Sequence, residues 1–187
     1  KSTLLNRILG RRLAAVSSKP QTTRHRIRGL RRVELDDGAA QIAFVDTPGL
    51  QQGPGALRRF LRDQAVAAAA GCDLVMLVVD ASDKRTRNPE RYAMPDARPI
   101  GDAVARLPFV IALNKIDRVA KPELLPLIAA WHEWGKGRGE VIPICATGGE
   151  GVETLERTVA LLLPEGPALY PADMVTDRDD TFIAGEQ

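Results

Sequence analysis

Two short apolar runs that each end in a polar tetrapeptide constrain the fold of this 187-residue chain more than any other feature. Ile42–Val45 leads into Asp46-Thr47-Pro48-Gly49, and Phe109–Leu113 leads into Asn114-Lys115-Ile116-Asp117. Apolar runs of this length between polar loops are typical of buried strands. We therefore predict that both tetrapeptides lie where a strand ends and a loop begins, the edge at which open α/β sheets bind ligands.

The side chains of these tetrapeptides predict a guanine-nucleotide site. The Asp117 carboxylate can accept hydrogen bonds from both N1 and the exocyclic amine of guanine, a pair of donors that adenine lacks. The Asn114 amide and the Lys115 stem would pack on and orient the same base. Asp46 can hold Mg²⁺ through water, and the Gly49 N–H can donate to a γ-phosphate. Each motif alone recurs by chance, whereas the two together are specific.

The first residues supply a third motif. Lys1-Ser2-Thr3 matches the last part of a P-loop, the GK[ST] segment that opens a helix. The lysine would reach the β- and γ-phosphates, and the serine hydroxyl would be a ligand of Mg²⁺. The glycine-rich segment and the strand that precede such a lysine are expected upstream, so the chain is expected to be a fragment. In the GTPase architecture that these motifs resemble, that strand lies between the strands ending at Asp46 and Asp80, so we expect a gap there. We expect the chain alone to aggregate or to remain molten, and not to bind GTP measurably.

The alternation of strand and helix patterns predicts a parallel sheet with helices on both faces. Asp36-Asp37-Gly38 is a hairpin signal and predicts one antiparallel pair at the edge. Residues 81–98 are charged and interrupted by proline, so they are predicted to form a mobile loop. The predicted helices are Ser2–Leu9, Ala56–Ala70, Ile100–Arg106, Pro122–Trp134 and Val152–Leu163, and the predicted strands are Arg26–Leu35, Gln41–Val45, Leu74–Val79, Phe109–Leu113 and Val141–Ile144.

Composition indicates a soluble intracellular domain. No apolar run approaches the roughly 20 residues that span a bilayer. Cys72 and Cys145 are too few for a disulfide framework and have no neighbouring His or Cys at metal-ligand spacing. Both cysteines are therefore expected to be reduced thiols.

The charge distribution is uneven although the net charge is only +2. Residues 1–35 carry ten Lys and Arg against one acid, Glu34. Three interpretations stay open: a solvated strand and loop, direct contact with RNA phosphates, and a docking surface for an acidic protein. The basic segment has no interleaved aromatic residues for base stacking, which counts against RNA contact.

Together the motifs resemble the GTPase domain of the Era family, bacterial GTPases that assist assembly of the small ribosomal subunit. The resemblance covers essentially the whole chain. It is carried by Lys1-Ser2-Thr3, Gln21-Thr22-Thr23-Arg24-His25-Arg26, Asp46-Thr47-Pro48-Gly49-Leu50, Asn114-Lys115-Ile116-Asp117, Cys145-Ala146-Thr147, Leu163-Pro164-Glu165-Gly166 and Thr176-Asp177-Arg178. It implies an α/β P-loop NTPase fold, with a GTPase domain at 1–164 and, at 165–187, a linker into the KH RNA-binding domain that follows in the family.

The resemblance also implies ligands and partners. GTP and GDP are the expected nucleotides, Mg²⁺ is the expected cofactor, and K⁺ is a second cation that an asparagine upstream of Lys1 would bring in. The expected partners are 16S rRNA and the small ribosomal subunit, mainly through the KH domain. The protein is expected to be a cytoplasmic monomer, with a peripheral association with the inner membrane for which this chain offers no amphipathic anchor.

The predicted nucleotide site draws on five segments. The residues predicted to bind GTP are Lys1, Ser2, Thr3, Thr22, Thr23, Asp46, Thr47, Pro48, Gly49, Asn114, Lys115, Asp117, Cys145, Ala146 and Thr147. Lys1, Thr23 and Gly49 have predicted catalytic roles, and the predicted Mg²⁺ ligands are Ser2, Thr23 and, through water, Asp46.

Two loops are predicted to respond to the γ-phosphate. Thr22 and Thr23 are candidates for the hydroxyl that reaches Mg²⁺ only in the triphosphate state, and Thr23 is favoured because relatives place a threonine directly before this arginine. A role for both as turn-capping hydroxyls stays open. The second loop starts at Asp46. Leu50 follows its glycine and has no polar atom to orient the attacking water, so slow hydrolysis or outside help is expected.

The segment Cys145-Ala146-Thr147 is predicted to line one side of the guanine base, and we call it the base wall. It departs from the family pattern, which usually reads Ser-Ala at this position. If the Ala146 N–H contacts guanine O6, the change should leave base identity intact. A thiol would brace Asp117 more weakly than a serine hydroxyl, so affinity is expected to fall modestly. A cysteine that only packs at the strand end remains the alternative.

Three functions from different classes are compatible with the sequence. The first is a GTP-hydrolysing switch for ribosome assembly, and the second is an RNA-binding module in which the nucleotide is incidental. The third is a catalytically inactive fragment. Within the enzyme class, a tRNA-modifying or double-domain GTPase is the alternative to the Era family, which the Pro20-Gln21-Thr22-Thr23-Arg24-His25 string favours.

Overall fold

The computed structural model describes residues 1–10, 28–45, 71–93, 107–135 and 139–171. The predicted helices Ala56–Ala70 and Ile100–Arg106 lie outside these ranges, as do the first two residues of the predicted strand Arg26–Leu35.

A β-hairpin opens the sheet structure. Strand β1 (Arg28–Leu35) pairs antiparallel with β2 (Gly38–Val45), in a register that runs from Arg28 opposite Val45 to Leu35 opposite Gly38. The predicted hairpin turn is confirmed. β2 begins three residues before the predicted Gln41, because a tight turn at Asp36-Asp37 lets backbone pairing start at once, whatever the side chains are.

A parallel sheet forms the second unit of strands. β3 (Val75–Asp80), β4 (Phe109–Asn114) and β5 (Gly139–Ile144) pair in the order β3-β4-β5. The predicted strands are confirmed with shifts of one or two residues at their ends. The central strand is β4, and its side chains from Val110 to Leu113 are fully buried. Burial on both faces explains why its sequence is a continuous apolar run.

Four described helices cover the sheets: α1 (Ser2–Leu9), α2 (Pro89–Ala93), α3 (Lys121–Trp134) and α4 (Val152–Leu162). One apolar core packs α1 and α4 against one face of β4, through Val110 and Ala112. A second core packs α3 against the opposite face, through Ile111 and Leu113. The alternation of β4 side chains therefore divides the interior into two cores, and the predicted α/β architecture with helices on both faces is confirmed.

The segment after β3 corrects one prediction. Residues 81–93 are ordered as a short 3-10 helix, Lys84–Arg87, followed by α2, so the predicted mobile loop is wrong for this stretch. The Asp83 carboxylate accepts a hydrogen bond from the Arg85 N–H at 3.0 Å and caps the 3-10 helix. Thr86 is buried, and its carbonyl oxygen accepts a hydrogen bond from Trp131 Nε1 at 3.0 Å. Tertiary contacts with α3 thus order a segment whose composition is typical of a loop. Residues 94–98 lie outside the described ranges.

The two sheets are separate. Within the described residues β2 pairs only with β1, and β3 pairs only with β4. The described part of the chain therefore agrees with the expectation that β2 and β3 do not pair with each other, while the strand expected between them stays a prediction. Apolar side chains of both sheets, including Ile42 and Val110, nevertheless belong to one core with α1 and α4. Helix packing across the sheets joins the hairpin to the parallel sheet.

Candidate functional site

Three loops meet where the parallel strands end. The pairing register places Asp80 beside Asn114, and Asn114 beside Ile144. The backbone N–H of Ala81 donates to the Asn114 carbonyl oxygen at 2.8 Å, which continues the ladder past β3. The loops after β3, β4 and β5 therefore start side by side, at the carboxyl edge where the sequence predicts a ligand site.

The Asn114 side chain connects two of these loops. It is buried, and its Oδ1 accepts hydrogen bonds from the Lys115 N–H at 2.9 Å and from the Ala146 N–H at 3.0 Å. This amide therefore fixes the spacing between the loop after β4 and the loop after β5. The predicted contact of the Ala146 N–H with guanine O6 would require that N–H to share or exchange its bond with Asn114.

The loop after β5 is held by its own backbone and by the Cys145 thiol. The Cys145 N–H donates to the Glu150 carbonyl oxygen at 2.9 Å, and its own carbonyl oxygen accepts from the Gly149 N–H at 2.7 Å. The buried thiol lies 3.3 Å from Thr147 Oγ1 and accepts from the Gly148 N–H at 3.2 Å. The thiol therefore braces its own loop instead of Asp117, and it does more than pack.

Lys115 has an unusual backbone and a defined side-chain partner. Its φ of 70° places it in the left-handed region, and no other non-glycine residue in the described ranges has a positive φ. Its Nζ lies 2.5 Å from Asp80 Oδ2, so an ion pair joins the loop after β4 to the loop after β3. Burial alone would raise the pKa of Asp80, but hydrogen bonds from Lys115 and Ser82 outweigh it and hold that pKa below its ordinary value.

Asp117 lies in the short 3-10 helix Ile116–Arg118, directly after these contacts. Its side chain is 45% exposed, and its ion-pair partner Arg118 is 3.9 Å away. A loosely paired, accessible carboxylate beside the Asn114 bridge has the capacity to accept two hydrogen bonds from a planar ligand. The structure thus brings Asn114, Lys115, Asp117 and Ala146 to one edge of the sheet.

The predicted phosphate-binding residues begin α1. Lys1 precedes the first helical residue, and its carbonyl oxygen accepts the first helical bond, from the Leu5 N–H at 3.0 Å. Ser2 and Thr3 form the first turn, where backbone N–H groups of a helix remain available to an anion. No acidic side chain lies in that turn, which keeps the local field favourable for phosphate.

Arg7 ties α1 to the base wall. Its Nε donates to the Ala146 carbonyl oxygen at 3.1 Å, and its Nη2 donates to the carbonyl oxygen of Thr147. The helix that starts with the predicted phosphate residues is thereby fixed to the loop that follows β5. Sequence reasoning did not select Arg7, because a basic residue in the last turn of a helix carries no signal of a distant partner.

The predicted metal ligands are only partly within the described ranges. The Ser2 hydroxyl is a hard oxygen donor at the start of α1, as Mg²⁺ requires, and Asp46 would add a carboxylate. The donor chemistry therefore fits Mg²⁺ bound together with phosphate oxygens. The described residues contain no cluster of three or more His, Cys, Asp or Glu side chains that would hold a metal unaided.

The remaining predicted site residues lie outside the described ranges. They are Thr22, Thr23, Asp46, Thr47, Pro48 and Gly49. Leu50 and His25 lie outside them as well, so both predicted γ-phosphate loops remain predictions.

Comparison with known proteins identifies the class that this fold and site define. Residues 1–115 match the model of the family described as 50S ribosome-binding GTPase, and the chain belongs to that family. Its fold is the α/β P-loop GTPase fold.

Several proteins that are similar over the whole chain are named GTPase Era. The chain is 40% identical over 186 residues to GTPase Era of Geobacter sp. strain M21, covering all of this chain and 59% of that protein. It is 42% identical over 188 residues to GTPase Era of Pseudomonas aeruginosa PAO1, covering 58% of that protein. The chain thus spans less than two thirds of the length of these relatives.

Solved structures of Era superpose on nearly the whole chain. Era in complex with MgGDPNP and nucleotides 1506–1542 of 16S ribosomal RNA is similar with a TM-score of 0.81 and 31% identity, over 99% of this chain and 60% of that one. A single-residue variant of Aquifex aeolicus Era bound to GDP and AlF4⁻ is similar with a TM-score of 0.80 and 32% identity, over the same shares.

Among the helices of the described residues, none combines the length and the hydropathy that crossing a bilayer needs.

Proposed function

We propose that this protein is a GTP-binding and GTP-hydrolysing switch that acts in small-subunit ribosome assembly and 16S rRNA maturation. The observation that carries the proposal is the Asn114 bridge to Ala146 beside the exposed Asp117 carboxylate, because this arrangement suits a guanine base. Family membership and the Era relatives support the same activity.

Different residues are assigned to the base and to the phosphates of the nucleotide. Asp117 reads the two guanine donors, Lys115 lies along the base, and the Cys145-Ala146-Thr147 loop forms the wall. Lys1, Ser2 and Thr3 receive the phosphates at the start of α1, where helix geometry favours an anion. Asp46, Thr47, Pro48 and Gly49 meet the γ-phosphate. This assignment rests on the sequence motifs and on the described half of the site.

Mg²⁺ is the proposed cofactor and would neutralise charge on the β- and γ-phosphates when bound. Ser2, Thr23 and, through water, Asp46 would hold it. K⁺ is a further proposal that rests on the family resemblance alone. Because Leu50 offers no polar atom to the attacking water, we infer slow intrinsic hydrolysis that a partner accelerates.

The proposed RNA partner follows from the relatives. The family description names the 50S particle, whereas the Era relatives are similar over the whole chain and one was solved with 16S ribosomal RNA. We therefore favour 16S rRNA and the small subunit. The excess of basic residues in 1–35 would add phosphate attraction, although most RNA contact is assigned to a KH domain beyond this chain.

We propose a GTPase domain at 1–164 and a linker at 165–187, in a cytoplasmic monomer. The described part of the chain supports the boundary, since α4 ends at Leu162 and a segment without regular secondary structure follows. That segment is docked on the hairpin by Gln41, whose Nε2 donates to the Tyr170 carbonyl oxygen at 2.8 Å and whose Oε1 accepts from the Leu169 N–H at 2.9 Å.

Exchange of Asp117 for asparagine tests the guanine site. Asp117→Asn in the intact protein should weaken GTP binding and favour xanthosine triphosphate, because an amide can donate to the extra oxygen of xanthine. Asp117→Ala should lose about 1.5–3 kcal/mol of GTP binding, the usual worth of hydrogen bonds to a charged group. Binding of both nucleotides is measured by calorimetry.

The matched control is Glu123→Gln, which causes the same loss of charge at an exposed carboxylate on α3, the partner of Arg87 in an ion pair. It should leave both affinities unchanged. An unaltered preference for GTP in Asp117→Asn would remove Asp117 from the site and with it the main support for the proposed function.

Removal of either hydroxyl that is proposed to bind Mg²⁺ should have a different effect on the relative affinities for GTP and GDP. Thr23→Ala should reduce the preference for GTP over GDP, because only the triphosphate state gains that ligand. Ser2→Ala should weaken the binding of both GTP and GDP, because both nucleotides are bound together with Mg²⁺. Dissociation constants for GTP and GDP decide the matter, and a larger loss of GTP preference in Thr22→Ala would show that Thr22 is the ligand.

A further inference from the structure

Asp80 has a bonding pattern that joins two loops of the nucleotide site. Its Oδ1 accepts hydrogen bonds from the Ser82 N–H at 3.0 Å and from the Ser82 hydroxyl at 2.6 Å. Its Oδ2 accepts from Lys115 Nζ, 35 residues further along the chain. Both carboxylate oxygens are therefore occupied, and the lysine ammonium is held at the end of β3.

The neighbouring carboxylate shows what a local pairing looks like. Asp83 pairs with Arg85 two residues away, through Oδ2 and Nη2 at 2.5 Å, and its bonds stay within its own 3-10 turn. The Asp80–Lys115 pair instead crosses between the ends of two strands. It acts on a lysine that is also held in a left-handed backbone conformation. Strained backbone of this kind persists where surrounding contacts over-determine it, and it clusters at functional sites.

Stability does not account for the pair. The side chains of Lys115 and Asp80 are 43% and 34% exposed, and ion pairs this accessible contribute little to the free energy of unfolding. The long lysine side chain is, however, among those that lose the most rotamer freedom when they are ordered. Fixing its ammonium beforehand leaves less ordering to occur when a ligand packs along its stem.

We propose that Asp80 is a positioning residue for nucleotide binding: it anchors the Lys115 ammonium so that the methylene stem forms a fixed wall against the guanine ring. This inference rests on the proposed guanine site. Asp80 itself contacts no nucleotide atom in this scheme, and Ser82 orients the Asp80 carboxylate. Sequence patterns gave one signal for it, since Asp80 follows an apolar strand directly, as Asp46 and Asn114 do.

The test uses Asp80→Asn in the intact protein, with fluorescent GDP and GTP analogues as probes. The amide keeps the shape of the side chain and removes its charge. Both dissociation constants should rise by about two- to fivefold, the range expected for one accessible ion pair. The ratio of the GTP and GDP constants should stay the same, because the base is common to both. The KM for GTP should rise by the same factor with kcat unchanged, as for an interaction that contributes equally in the ground and transition states.

Two further variants separate positioning from a general effect on the fold. Asp36→Asn makes the same chemical change in the exposed ion pair of Asp36 with Arg157, at the hairpin turn, and should leave nucleotide affinity unchanged. Lys115→Met keeps an unbranched stem without the ammonium, so adding Asp80→Asn in that background should cause no further loss.

The possible outcomes lead to different conclusions. An unchanged affinity in Asp80→Asn, an equal loss in Asp36→Asn, or a loss that persists in the Lys115→Met background would overturn the positioning role and leave the proposed GTPase intact. A wild-type protein that binds neither GDP nor GTP would overturn both. A loss common to GDP and GTP that disappears in the Lys115→Met background establishes the role.

Discussion

At the scale of single residues, the base wall depends on a glycine that ends its loop. Gly151 precedes α4 with a φ of 72°, and a Cβ built on it would lie 2.2 Å from the Pro143 carbonyl oxygen. Backbone cannot move aside as a side-chain tip can, so only glycine fits this position. Cys145 and Ala146 lie in the same loop. The backbone conformation of Gly151 therefore affects the position of the predicted base wall.

Gly151→Ala should therefore lower the free energy of unfolding by about 1–3 kcal/mol, the usual cost of forcing a strained backbone position. Urea unfolding followed by circular dichroism measures the effect. Gly166→Ala is the control, because that glycine has open space around it and no positive φ. It should change stability by less than about 0.5 kcal/mol. Equal effects of the two substitutions would contradict the assigned role of Gly151.

At the scale of elements, α4 is attached to the hairpin by an ion pair of unequal exposure. Arg31 Nε lies 2.7 Å from Glu156 Oε1, and the Glu156 side chain is only 10% exposed. The adjacent Arg32 points to the other face of β1 and pairs with Glu34 at the same distance, but both of those side chains are exposed. Two neighbouring arginines thus make chemically identical bonds in different surroundings.

Arg31→Ala should lower the free energy of unfolding by about 1–3 kcal/mol, because the Glu156 carboxylate would be left buried without its partner. Arg32→Ala should change it by less than about 0.5 kcal/mol, as for most exposed pairs. Thermal and urea unfolding of both variants provide the comparison. If Arg32→Ala destabilised the protein as much as Arg31→Ala, burial of Glu156 would not be the cause.

At the scale of the whole molecule, two cores share the central strand β4. The core with α3 includes the edge-to-face contact of Trp131 with Tyr92, whose ring centroids lie 5.9 Å apart. The partly buried Tyr92 comes from the segment after β3, so the order of that segment depends on this core. Because both cores pack on one strand, destabilisation on either face lowers the stability of the whole parallel sheet.

The contribution of Tyr92 to the free energy of unfolding should decrease at alkaline pH. Burial raises the pKa of Tyr92 above its ordinary value of 10.0, and the charge of Asp83 adds to the effect. A raised pKa in the folded state means that stability is fully present below pH 10.0 and is lost as the pH rises through the folded value. The free energy of unfolding should thus fall more steeply above that pH in the wild type than in Tyr92→Phe. Parallel pH profiles would contradict the prediction.

The sequence by itself determined the strand ends and the chemistry that they present. Apolar runs bounded by Asp80 and Asn114 place polar loops at one edge, since parallel strands share their direction. The apolar spacing of α1, with Leu4, Leu5, Ile8 and Leu9 buried, was equally readable from a period of 3.6 residues. Local patterns suffice for such features because they depend on which side chains can be buried and on how the chain repeats.

Only the tertiary structure decided which of these groups meet. The Lys115–Asp80 pair and the Asn114–Ala146 bridge join residues 35 and 32 positions apart, and no local pattern specifies such partners. The order of residues 81–93 arises from Trp131 on a distant helix, against the composition of the segment. β5 begins at Gly139, before the predicted Val141, because pairing with Phe109 extends the ladder without regard to side-chain type. These features depend on packing between elements, so they become fixed only when the sheet and its helices assemble.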